Sequence, residues 1–150
     1  MDALDVYGRT RNMSTSGSGQ TDLEDTLTRY LKAEGRYYSE DPTPEAGHFF
    51  RSDHFSFAKV GAPAISVKSG QDLVKGGRAA GAAAEVAYTR DKYHQPADEW
   101  SADWDLAGQV QDLELLYRMG RGLANSDQWP SWNADSEFKA IRDKTAAERR

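Results

Sequence analysis

TDLEDTLTRYLKAEGRYYS, residues 21–39, holds a helix and the strand that leaves it. Thr21 and Glu24 form a capping-box pattern, in which a hydroxyl and a carboxylate take up backbone N–H groups that a helix start leaves free. Leu23, Leu27, Tyr30 and Leu31 then recur at helical spacing, and Gly35 stands where a left-handed C-terminal cap belongs. Arg36-Tyr37-Tyr38-Ser39 reads as a short strand, ended by the loop Asp41-Pro42-Thr43-Pro44. A helix that runs straight into a strand is the repeating unit of layered α/β or α+β architecture.

Working outward, the neighbours keep that pattern. Leu4 and Val6 alternate with polar residues up to a turn at Gly8, as in a short strand. Residues 13–19 read either as a strand entering a glycine-rich loop or as a flexible linker. Ser52 and Asp53 can cap a short helix through Phe55, Phe57 and Ala58, closed by Gly61. Residues 62–67 predict a buried strand. Residues 69–92, rich in Gly, Ala and charge, show no firm period, with room for a short helix over 81–86. The clearest element is a helix over 104–125, with Leu106, Val110, Leu113, Leu116, Tyr117 and Leu123 expected on one side, covering a sheet. Trp129-Pro130-Ser131-Trp132 breaks the chain, and Ser136-Glu137 starts a charged terminal helix within 133–150. No internal repeat is evident, and the expected fold class is α/β.

Composition removes several functions. A net charge of -5 with scattered Lys and Arg offers no basic stripe for a phosphate backbone, so nucleic acid is not an expected partner. A mean hydropathy of -0.80 predicts a polar surface. No apolar run approaches the ~18 residues of a membrane span, and no leader pattern opens the chain. With no cysteine, a zinc site would have to use His, Asp and Glu.

Two stretches carry that chemistry. Tyr93-His94-Gln95-Pro96-Ala97-Asp98-Glu99 sets a histidine among acidic residues, and Asp2 offers a hard oxygen in Met1-Asp2-Ala3-Leu4. Imidazole and carboxylate together suit zinc better than magnesium or calcium, but a catalytic zinc takes about three protein ligands plus water. The plainer alternatives are a loop histidine bonded to Asp98 and a solvated Asp2. Ser52-Asp53-His54 cannot be a catalytic triad, whose members converge from separate segments. Gly76-Gly77-Arg78-Ala79-Ala80-Gly81 resembles a phosphate loop but lacks the Lys-Ser/Thr ending.

Taken in order, residues 2–10, Phe50-Arg51-Ser52-Asp53-His54-Phe55-Ser56-Phe57, Gly61-Ala62-Pro63-Ala64 and residues 93–99 resemble the C-terminal half of the catalytic domain of co-catalytic di-zinc aminopeptidases. This is the family of bacterial leucyl aminopeptidase and glutamate carboxypeptidase; Trp129-Pro130-Ser131-Trp132 and Ser136-Glu137-Phe138 are similar to the tail of a bacterial branch of it. The resemblance implies that 1–150 is the C-terminal part of one zinc peptidase domain. Its fold would be a three-layer, mixed-sheet, phosphorylase/hydrolase-like domain, with the sheet incomplete in this chain.

By the same resemblance, Asp2 is a ligand of one zinc and His94 of the other, in a parent enzyme that holds two. Ser52, Asp53, His54 and Asp98 become supporting polar residues; Asp98 would orient the loop or the imidazole. Phe49 and Phe50 would line a substrate pocket, although packing is the default for aromatic side chains. The family's bridging aspartate and general-base glutamate come from His-x-Asp and Glu-Glu motifs. This chain contains neither motif.

The implied activity is removal of N-terminal residues from peptides by a metal-activated water, in a parent of which this chain is a natural truncation product or an excised fragment. Taken alone, the chain is expected to bind zinc weakly or not at all and to be inactive. A carboxypeptidase, a glutaminyl cyclase and a non-catalytic binding module on the same scaffold are the alternatives. Half a sheet leaves an open edge through which homo-oligomers could form, and the family suggests a periplasmic or secreted location.

Overall fold

The computed structural model describes residues 5–148. The structure is mixed α/β. Strands β1 (Asn12–Thr15), β2 (Tyr37–Ser39) and β3 (Val67–Ser69) form one sheet in the order β2-β1-β3. β1 pairs in parallel with β2, placing Met13 beside Tyr38, and antiparallel with β3, placing Met13 beside Ser69. All four residues of β1 are buried, as a central strand requires. Residues 13–19 are therefore the strand-and-loop alternative, with β1 beginning one residue earlier.

Helix α1 (Leu23–Ala33) makes the crossover between the two parallel strands. Its start is a variant of the expected capping box. Thr21 Oγ1 accepts the N–H of Leu23 at 2.9 Å, while the Glu24 carboxylate reaches past the helix to accept the N–H groups of Gly19 at 2.7 Å and Gln20 at 3.0 Å. Glu24 thus ties the glycine loop to the helix instead of closing the cap. The other end follows its sequence signature. Gly35, at φ 71°, donates its N–H to the carbonyl of Lys32, and Arg36 donates to that of Leu31. This is the Schellman pair of bonds, and it turns the chain directly into β2.

Four-residue helices α2 (His48–Arg51) and α3 (Phe55–Ala58) follow, then α4 (Gly77–Asp91), α5 (Ala107–Ala124) and α6 (Lys139–Lys144). Three expectations change here. The strand expected over 62–67 is displaced to β3, since Pro63 lacks the N–H that a ladder needs. The short helix expected over 81–86 is the centre of the fifteen-residue α4, carried by the helix propensity of its alanines without an apolar stripe. The charged C-terminal stretch is α-helical over Lys139–Lys144.

Helix α5 carries the largest correction. Its buried residues are Gly108, Asp112, Leu115 and Met119. Leu106, Val110, Leu113 and Tyr117 face outward at 44%, 53%, 43% and 66% exposure, and Leu116 and Leu123 lie partly buried between the two faces. A buried ion pair fixes this roll of the helix. Arg36 Nη2 donates to Asp112 Oδ1 at 2.6 Å, and Ser69 Oγ donates to Asp112 Oδ2 at 2.7 Å. The guanidinium also reaches Thr10 Oγ1 and the Asn12 carbonyl. One carboxylate therefore joins α5 to all three strands or their approaches.

Two cores result. Met13, Leu23, Leu27, Leu31, Leu115 and Met119 fill the space between sheet, α1 and α5. Phe49, Ala58, Trp132 and Phe138, with Phe55 against them, form a second cluster that seats the C-terminal segment.

Candidate functional site

The segment that follows Asp2 and the segments on either side of His94 meet in one cleft of about 710 Å3. Asp5, Val6 and Tyr7 form one wall, the last turns of α4 with Tyr88 and Asp91 form another, and the loop through Asp98 and Trp104 closes it. The backbone stitches the first wall to the loop. Asp105 donates its N–H to the Val6 carbonyl, and Gly8 donates to the Asp105 carbonyl, both at 3.0 Å. Gly8 holds φ 93°, and Gly108 lies so close that a Cβ there would overlap the Gly8 carbonyl oxygen. Glycine at both positions lets α5 begin directly against the wall.

The chemistry of the cleft is acidic and aromatic. Burial pushes the Asp5 carboxyl up to about 6, with further upward pressure from Glu85 and Asp112 and a smaller downward pull from Lys68. Its backbone N–H reaches Ser69 Oγ at 3.4 Å, which links the wall to the Asp112 network. Tyr7 donates to the Ala84 carbonyl. Tyr88 donates to Asp98 Oδ2 at 2.8 Å; partial burial and this bond push its phenol up to about 12.

Of the residues singled out in the sequence, Asp2 lies outside the described residues. His94 is exposed, on the turn after α4, at φ 58°. That left-handed conformation is uncommon for a residue with a side chain. Its ring stacks on Tyr93 with centroids 3.9 Å apart. Asp98 binds Tyr88 and anchors the loop to α4. Ser52, Asp53 and His54 lie at the second core instead. Ser52 Oγ donates to the His48 carbonyl, Asp53 is exposed, and His54 meets the edge of Phe49 at 4.7 Å with neither ring nitrogen hydrogen-bonded. Burial lowers its pKa, and Asp53 opposes that shift. Phe49 is buried in the aromatic cluster, and Phe50 is 53% exposed beside it.

Sequence reasoning missed Asp5, Tyr7, Tyr88, Asp91 and Trp104. The available signals were spacing: Asp5 and Tyr7 are two apart on an extended segment, and Tyr88 and Asp91 are three apart on a helix.

Among the described residues, no group of three or more His, Asp or Glu side chains is gathered closely enough to hold a metal ion. His94 is a suitable single donor by chemistry and exposure, so the described residues fit one position of a metal site and do not make a complete one. No helix among them is long and apolar enough to cross a membrane.

Comparison with curated proteins and with solved structures found no match. The model of peptidase family M28 matches residues 1–117, a span that runs from Asp2 through His94 and most of α5. The chain belongs to peptidase family M28, and the chemistry of its kind is that of a metallopeptidase.

Proposed function

We propose that this chain forms part of the catalytic centre of a zinc aminopeptidase, with Asp2 on one zinc ion and His94 on the other. The observation that carries the reading is convergence. Two segments about 90 residues apart in sequence, one following Asp2 and one surrounding His94, line the same cleft. The exposed His94, held in a left-handed turn, supports it too, since such outliers cluster at functional sites. The His-x-Asp and Glu-Glu motifs that would supply the remaining ligands and the general base do not occur in this sequence. A zinc pair, when bound, supplies Lewis-acid polarisation and an acidified water.

What the chain's own residues do is hold the frame. Asp98 and Tyr88 fix the loop after His94 against α4, and the Val6–Asp105 pairing fixes the chain after Asp2 against that loop. Asp5 and Asp98 give the wall carboxylates suited to a cationic group such as a peptide's terminal amine. Phe50, exposed at the aromatic cluster, is the residue proposed to meet an apolar substrate side chain, with the buried Phe49 supporting it from below. The family kinship favours a periplasmic or secreted setting.

Zinc titration and metal analysis of the chain, with aminoacyl-nitroanilide assays alongside, test this. Weak zinc binding, weakened further by Asp2→Asn and by His94→Gln, and no turnover are expected. Two tightly bound zinc ions, or turnover lost on either substitution, would show a complete centre in this chain and overturn the part-site reading. Zinc binding indifferent to both substitutions would overturn the ligand assignment.

A further inference from the structure

The outward face of α5 is ordered as a seam. Leu106, Val110, Leu113, Tyr117, Gly120 and Ala124 follow at alternating steps of four and three residues, the spacing by which two helices pack along their length. All six are exposed. We propose that this face docks on the same face of a second copy of the chain, with the two α5 helices antiparallel.

Size and charge select one register together. Antiparallel packing sets each seam residue opposite one of the alternate position. Pairing Tyr117 with Gly120 of the second copy also pairs Leu113 with Ala124, and by symmetry the reverse pairs form, so these two large residues each meet a small one, while Leu106 and Val110 lie past the end of the second copy's α5. A Cβ on Gly120 would meet no atom within 4 Å, so the place for the tyrosine ring is open. In the same register Glu114 and Arg121, which flank the seam on one side, each face the opposite charge on the other copy. Both are exposed, whereas Arg118 between them is held by Glu34. A parallel pair would stack Tyr117 on Tyr117 and leave a gap at Gly120. On the other flank, Leu116 and Leu123 already pack on the chain's own core.

The sheet edges are the competing surface for self-association. β2 and β3 are three residues long each, which gives few ladder hydrogen bonds, while the α5 seam overlaps in this register over residues 113–124, about three helical turns. A single helix pair lies at the low end of specific interfaces, below about 1,200 Å2, and should dissociate in the micromolar range or weaker.

Sedimentation equilibrium from about 5 to about 500 µM spans that range. A dimer is expected, with a dissociation constant raised about tenfold or more by Glu114→Arg or by Arg121→Glu. The double variant E114R/R121E should return it towards the starting value. Gly120→Leu should abolish the dimer by filling the slot for Tyr117, while better helix propensity at that position keeps the chain folded. A chain monomeric throughout would overturn the proposal, whatever else covers the seam. So would a dimer indifferent to the single charge reversals, which places the contact elsewhere, or reversals that the double variant fails to rescue.

Discussion

The sheet core and the aromatic cluster solve the same problem, burying a polar group, in opposite ways. In the sheet core Asp112 is 1% exposed, and both of its oxygens are engaged, by Arg36 and by Ser69. In the aromatic cluster His54 turns toward Phe49 with neither nitrogen partnered. The first arrangement specifies geometry, because a bonded charge tolerates one roll of α5 and one register of the strands. The second specifies volume. Phe49, Phe138 and Trp132 fill space around one another, and a single indole N–H, donated to the Gly61 carbonyl at 3.0 Å, sets the direction. The cleft is attached to the first region, which is where a site needs its precision.

The largest expected effect breaks the first arrangement. Asp112→Ala leaves the Arg36 guanidinium, whose side chain is 3% exposed, without its close partner. Removing one member of a buried pair costs about 3–5 kcal/mol. Urea unfolding at neutral pH measures it. A loss below about 1 kcal/mol, the level of a surface pair, would mean that the network does not fix the roll of α5.

The same pair explains what could be read in advance and what could not. Local devices were legible. The Thr21 and Gly35 signals bounded α1 correctly because a cap needs only residues three or four positions away. The facing of α5 was not legible, because the helix carries two apolar stripes, and the buried one is interrupted by Asp112. The more continuous stripe, through Leu106, Val110, Leu113 and Tyr117, is the exposed one. What reverses the choice is Arg36, 76 residues away, and no helical period contains it. At the candidate site, the two chemically distinctive residues, Asp2 and His94, drew attention for their ligand chemistry. The cleft was hidden because Asp5, Tyr88 and Trp104 become neighbours only through the approach of Gly8 to α5.

A middle-sized effect sharpens the contrast from the polar side. Asp5 stands at the rim of the Asp112 network, its carboxyl raised from 3.8 to about 6, chiefly by burial. The folded chain therefore holds a proton there that the unfolded chain has given up. This contribution to stability is complete below the ordinary value and is lost as pH rises through about 6. Asp5→Asn, which keeps a neutral side chain at every pH, should raise stability by about 3 kcal/mol at pH 7.5 and change it little at pH 3.5. Unfolding curves at the two pH values decide it; an equal shift at both would assign the effect to packing instead of charge.

The smallest effect belongs to the aromatic cluster, and its sign is the reverse. His54 has its pKa lowered, first by burial, with Asp53 pulling upward. The unfolded chain then takes up a proton below the ordinary value of 6.5 that the folded chain resists. Stability from this residue is fully present above that value and declines as pH falls through it. Replacing the ring by an apolar side chain, His54→Leu, removes the titration and with it this residue's decline on the acid side of the stability profile, while leaving the rise that Asp5 causes on the same side. Trp132 is 3% exposed in this cluster, so local loosening should register in its fluorescence or in amide exchange over 129–142 before the sheet core responds. Acid loosening that proceeds identically in the wild type and in His54→Leu would mean that the cluster is held by more than ring packing, and the distinction between the two cores would fail.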